Sequence, residues 1–199
     1  MKIIGLTGSI AMGKSTVADF FKQAGISVFS ADEAVQQLYK SEPALSFIER
    51  IFPGVVENGE VNRLKLSEIL IDDKEKLQTL EKIIHPLVQE KEREFIDIAR
   101  EQGKKLVILD IPLLFEKNGE SRVDSVIVVS APPEVQKERV MIRQGMNEKK
   151  FAFINAQQMP DEKKRERADF IIDTGKDLEN TRQQVFDVIK KLLKNLNYA

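Results

Sequence analysis

The chain has 199 residues, 42% hydrophobic and 32% charged, with a formal net charge of −1 and no cysteine. That length suits one domain with a substantial core, and no apolar run reaches the roughly 18 residues of a membrane span. The charge balance argues against a polyanionic polymer as main partner, and the missing cysteines exclude disulfides, zinc-thiolate sites and thiol catalysis while suiting a reducing cytoplasm.

The first segment, "KIIGL" (2–6), reads as a buried strand. Glycine, threonine and serine follow it at once, which argues against a signal peptide. Then comes "GLTGSIAMGKST" (5–16), in which Gly8, Gly13, Lys14 and Ser15 complete G-x-x-x-x-G-K-[ST]. Glycines let the backbone fold around phosphate oxygens, the amides point inward, and the following helix N-terminus adds positive potential. Lys14 is placed to reach the β/γ-phosphates of a nucleotide, and the Ser15 hydroxyl to ligate Mg²⁺. The helix after the loop carries Val17, Phe20, Phe21 and Ala24 on one face, and Gly25 is placed to end it.

"ISVFS" (26–30) reads as the second strand, with Asp32 at its end. Between Asp32 and Lys105 no strand is expected. Helices are predicted at about 31–40, 42–52, 62–71, 73–84 and 86–102, with turns at "PGVVENGE" and near Pro86. A crossover needs one helix, so the surplus implies an inserted helical subdomain. Further strands follow at "KLVILDI" (105–111), "SVIVVS" (125–130) and "DFIID" (169–173). A basic helical stretch (133–158) lies before the last of these. A closing helix (177–195) places Leu178, Thr181, Val185, Val188, Ile189 and Leu192 on one side. Continuous Val/Ile/Leu strands alternating with helices predict a parallel α/β sheet. The expected fold is a three-layer sandwich of the P-loop NTPase type. It has a five-stranded parallel sheet, an inserted helical substrate-binding subdomain (about 33–102) and a helical lid (about 133–167), on a core of 1–32, 103–132 and 168–199.

A GTPase would need N/T-K-x-D and D-x-x-G motifs, and neither is present. A small-molecule kinase fits the size. Asp32, at the carboxyl edge of the sheet, is placed to accept the proton of an attacking hydroxyl, or else to cap the helix after it. Arg139 and Arg143, four apart, would share a helix face and neutralise charge on the transferred phosphoryl, or be solvated. Asp110 closes a strand as a Mg²⁺-binding carboxylate or as a cap to the turn at Pro112. His85, beside apolar residues at a helix junction, reads as structural or functional, and "DEKKRER" (161–167) as solvated surface. A kinase for another hydroxyl acceptor, such as a nucleoside, nucleotide or shikimate-like metabolite, and a nucleotide-dependent binding switch are the rival readings.

Taken together, these stretches resemble the dephospho-CoA kinase family. The resemblance rests on "GLTGSIAMGKST", "SAD" ending at Asp32, "GEVNRLKL" with Arg63, "IIHPLV" with His85, "LVILDIPLLFE" (106–116), the two arginines and "QQMPDEKKRERADFIIDTG" (157–175). It implies transfer of the ATP γ-phosphate to the ribose 3'-hydroxyl of dephospho-CoA, giving CoA and ADP, in a cytoplasmic monomer or weak homo-oligomer with no membrane or nucleic-acid partner. By position, Gly8 and the run Ala11, Met12, Gly13, Lys14, Ser15 and Thr16 would wrap the ATP phosphates. Asp32 would be the general base, and Arg139 and Arg143 lid residues. Ser15 and Asp110 would hold Mg²⁺, Arg63 and His85 dephospho-CoA, and Thr174 and Gly175 would lie against adenine. The family loop often reads G-G-I-G-S-G-K, whereas here Ser9 and Ala11 replace glycines and Met12 a serine. Thr174 stands where many relatives have asparagine.

Overall fold

The computed structural model describes residues 1–71 and 73–194. It divides into two compact units, Met1–Phe29 with Ala99–Ala199 and Ser30–Ile98.

The larger unit is built on a five-stranded sheet in the order β2-β5-β1-β6-β7, formed by β1 (Lys2–Thr7), β2 (Ser27–Ser30), β5 (Leu106–Asp110), β6 (Ser125–Ser130) and β7 (Phe170–Asp173). β1 runs parallel to β5 on one side and to β6 on the other, and β6 runs parallel to β7. Strand order therefore reverses direction at β1, and the carboxyl edge of such a switch point is where open α/β sheets bind ligands. Alternation along the strands feeds two faces. Ile127 and Val129 of β6 join Ile4, Leu6, Ile108 and Ile172 under α1 (Lys14–Gln23) and α9 (Leu178–Lys194), while Val126 and Val128 pack with Leu114 and Phe115 on the other face. Val17, Phe20 and Phe21 of α1 are buried as their spacing predicts, and Gly25 follows the helix with φ 79°. In α9, Thr181, Val185, Val188, Ile189 and Leu192 are buried, but Leu178 is exposed because it opens the helix, ahead of the packed stripe. The expected helix end at residue 195 lies outside the described residues.

The smaller unit holds α2 (Ala31–Leu38), α3 (Ala44–Ile51), a hairpin of β3 (Val56–Glu57) and β4 (Glu60–Val61), α4 (Arg63–Leu70) and most of α5 (Lys74–Glu101). Its core gathers Leu38, Ile48, Phe52, Val61, Leu66, Leu80 and Ile84. Two expectations fail here. The hairpin falls where only turns were predicted. Its signal is Asn58-Gly59, both at positive φ (52° and 81°), the pair that a tight two-residue hairpin turn favours. The predicted break near Pro86 is also absent, and α5 is one helix of 28 residues that contains Pro86. A proline inside a helix loses one hydrogen bond and crowds the preceding turn. Here Leu80 and Ile84 before it, and Leu87 and Val88 after it, pack into one cluster, so burial carries the helix through.

Three helices lie between β6 and β7: α6 (Pro133–Met141), α7 (Glu148–Ala156) and α8 (Asp161–Glu166). Among the described residues no helix is long and apolar enough to cross a membrane.

Candidate active site

β1 leads into the phosphate loop, and α1 begins at Lys14. Two glycines are structurally required. A Cβ on Gly8 would lie 2.6 Å from the Val129 carbonyl oxygen, and Gly13, at φ 89°, precedes α1 in the left-handed region. Ala11 also stands at φ 61°. A left-handed alanine costs roughly 1–2 kcal/mol, so the surrounding structure must hold it.

That hold is visible at Met12. Its Sδ accepts the Ala131 N–H at 3.2 Å, and its carbonyl accepts the Thr174 hydroxyl at 2.7 Å. Thr174 in turn accepts both arms of Arg139, Nη1 at its hydroxyl oxygen (2.9 Å) and Nη2 at its carbonyl (2.7 Å). Thr174 is 4% exposed, so its hydroxyl is engaged within the protein, bracing the loop. Gly175 follows against Pro132, where a Cβ would meet Cδ at 2.4 Å. Thr174→Val removes the hydroxyl while keeping the shape. It is expected to raise the KM for ATP several-fold and lower stability by about 1–2 kcal/mol, read from kinetics and urea unfolding.

Lys14 Nζ meets Asp110 Oδ1 at 2.5 Å, with the two side chains 13% and 8% exposed. The Ser15 hydroxyl is exposed at the start of α1. No cluster of three His, Cys, Asp or Glu able to hold a metal occurs among the described residues. One hydroxyl and one carboxylate suit Mg²⁺, which keeps waters and takes its remaining ligands from substrate phosphates.

Arg139 and Arg143 do not share a helix face. α6 stops at Met141, and Arg143 lies in the exposed bend after it, its guanidinium unbonded among the described residues. Asp32 is not the helix cap. β2 ends at Ser30, whose Oγ accepts the Glu33 N–H at 3.2 Å and caps α2, leaving Asp32 exposed in the first turn. Its carboxylate makes no bond among the described residues.

In the smaller unit, Arg63 opens α4 and lines a cavity of about 470 Å³ with Tyr39, Lys40, Glu57 and Asn62. Burial raises the Tyr39 hydroxyl pKa, with the Arg63 charge working against it. The Lys65 ammonium and the Asn62 amide hold Glu57 below the ordinary carboxylate range. His85 is exposed within α5, away from any helix junction, and does not line this cavity.

The stretch 161–167 is not all surface. Lys164 is fully buried and pairs with Glu116 at 2.9 Å, while Asp161 accepts the Ser130 hydroxyl at 2.6 Å. Glu116→Ala would leave that ammonium buried without its anion. The expected loss is about 3–5 kcal/mol in urea unfolding, and a measured loss below about 1 kcal/mol would contradict it.

A profile of the family described as dephospho-CoA kinase matches residues 2–180. The chain belongs to the dephospho-CoA kinase family. It is 82% identical over 195 residues to a dephospho-CoA kinase of Bartonella quintana (strain Toulouse), covering 98% of this chain and all of that one. Among solved structures it resembles TT1252 from Thermus thermophilus (TM-score 0.80, 34% identity, 96% and 97% of the two chains). It also resembles a dephospho-CoA kinase from Campylobacter jejuni (TM-score 0.69, 28% identity, 96% and 97%). Within this family of P-loop kinases, four residues in the larger unit escaped the sequence reading: Gln136, Gln158, Glu116 and Lys164. The last two lay in plain view in "LLFE" and "DEKKRER", but a buried ion pair leaves no periodic trace.

Proposed function

We propose that the chain transfers the γ-phosphoryl group of ATP to the ribose 3'-hydroxyl of dephospho-CoA, giving CoA and ADP, in the cytoplasm. The observation that carries the reaction type is the loop ending in Lys14 against Asp110 at the carboxyl edge of the sheet. Family membership supports the acceptor. The loop amides and Lys14 would bind the β- and γ-phosphates, with the Ser15 hydroxyl and the Asp110 carboxylate holding Mg²⁺. That ion supplies charge neutralisation across the phosphate oxygens when bound. Asp32 would take the proton of the 3'-hydroxyl as its oxygen forms the new P–O bond and the bond to the leaving ADP breaks. Arg139 keeps the loop in shape through Thr174, and Arg143 is the lid arginine with its guanidinium open to the transferring group. Arg63 and His85 belong to the acceptor-binding subdomain, Arg63 through its cavity. The segment 133–167 acts as a lid that excludes water from the reacting phosphate.

The test incubates the protein with ATP-Mg²⁺ and a panel of acceptors, following ADP and phosphorylated product. CoA formation with dephospho-CoA alone is the expected result. Product from a nucleoside or shikimate would overturn the acceptor, ADP without product would indicate an ATPase, and binding without turnover a switch.

A further inference from the structure

The segment between β6 and β7 grips the phosphate loop at one residue, through the two successive peptides that Ile10 joins. The Ile10 N–H donates to Gln158 Oε1 at 2.9 Å, and Gln136 Nε2 donates to the Ile10 carbonyl at 2.9 Å. Gln136 lies in α6, before α7, and Gln158 lies two residues beyond the end of α7. The segment that carries α7 is therefore rooted at both ends on the same loop residue. Both roots are firm. Gln136 is 6% exposed. Gln158 precedes Met159, whose N–H donates to Glu116 Oε1 at 2.8 Å, and Glu116 is anchored by the buried Lys164.

Ile10 immediately precedes the left-handed Ala11 and comes three residues before Gly13. Fixing the planes of the two peptides on either side of it sets the direction in which the following amides point. A glutamine can do this from either side, accepting with one atom and donating with the other, and it adds no charge beside a polyphosphate. A carboxylate at the same place would repel the ligand.

We propose that Gln136 and Gln158 are positioning residues for nucleotide. They hold the loop amides in the phosphate-binding arrangement before ATP arrives and fasten both roots of the lid to that arrangement. This rests on the kinase reading in taking a polyphosphate as the ligand of the loop. Because the grip precedes binding, its loss weakens nucleotide affinity without touching the acceptor.

The experiment titrates ATP-Mg²⁺ into the wild type, Gln158→Leu, Gln136→Leu and the double variant by calorimetry, with no acceptor present. Kinetics then give kcat and both KM values, and thermal unfolding monitors the fold. Each leucine variant is expected to raise the Kd for ATP about five- to tenfold and to leave the KM for dephospho-CoA within about twofold. The double variant should lose less than the product of the singles, since both act on one residue. A wild-type Kd for ATP in a folded leucine variant, or an equal rise in both KM values, overturns the proposal. Should the leucine variants fold poorly, Gln158→Asn keeps the amide but draws it back by one methylene. The same ATP-only shift is expected there, and unchanged affinity overturns the idea equally. A wild type that binds no ATP or transfers no phosphate would instead sink the kinase reading itself.

Discussion

Replacing Lys14 with alanine is expected to lower kcat by about a thousandfold or more, to the background of the assay. A single well-placed donor to developing charge is worth about 10²–10³ in rate, and a cation on a transferring phosphoryl more than that. The substitution has a second effect. Asp110, 8% exposed, loses its ammonium partner, and breaking a nearly buried ion pair destabilises the fold by about 3–5 kcal/mol. The two effects separate in the double variant Lys14→Met with Asp110→Asn. It should regain most of the unfolding midpoint and none of the activity. Transfer within tenfold of wild type in Lys14→Ala would remove the lysine from the reaction.

Asp32→Asn is expected to lower kcat by about 10²–10⁴ while the Kd for ATP stays unchanged. This carboxylate has no structural task among the described residues. Ser30 caps α2, and the Asp32 side chain is exposed and bonded to nothing among the described residues. Stability should shift by no more than about 0.5 kcal/mol, apart from a small contribution of its charge to the helix terminus. A kcat near that of the wild type would show that another group takes the proton.

The fold was readable because its strands are short, continuous and apolar. Ile127 and Val129 could only be buried, and Val17, Phe20 and Phe21 could only face one way on a helix. The phosphate loop was equally plain, since Gly8 and Gly13 answer steric demands that act on the backbone directly. What escaped was tertiary. Pro86 reads as a break until Leu80, Ile84, Leu87 and Val88 are seen to share one cluster. Asn58-Gly59 carried a local hairpin signal, but two residues per strand give no alternation to detect. Arg139 and Arg143 are four apart in sequence, yet α6 ends between them. Arg139, read as a lid cation, turned out to brace Thr174, and no spacing rule separates a guanidinium aimed at a ligand from one aimed at a carbonyl. Lys164 shows the same limit, because a lysine in a charged run is exposed far more often than not.

The contact between Lys14 and Asp110 has a consequence for which visitors the phosphate loop would accept. Its cation and its anion already cancel, so a stray phosphate ion or a bare divalent metal would gain little by entering, since each would have to break that pair while matching only one charge of it. Only a guest that arrives as a matched pair, anion and cation travelling together, exchanges both halves at once. On the proposed reading of the site, that one contact would favour metal-complexed nucleotide over loose ions.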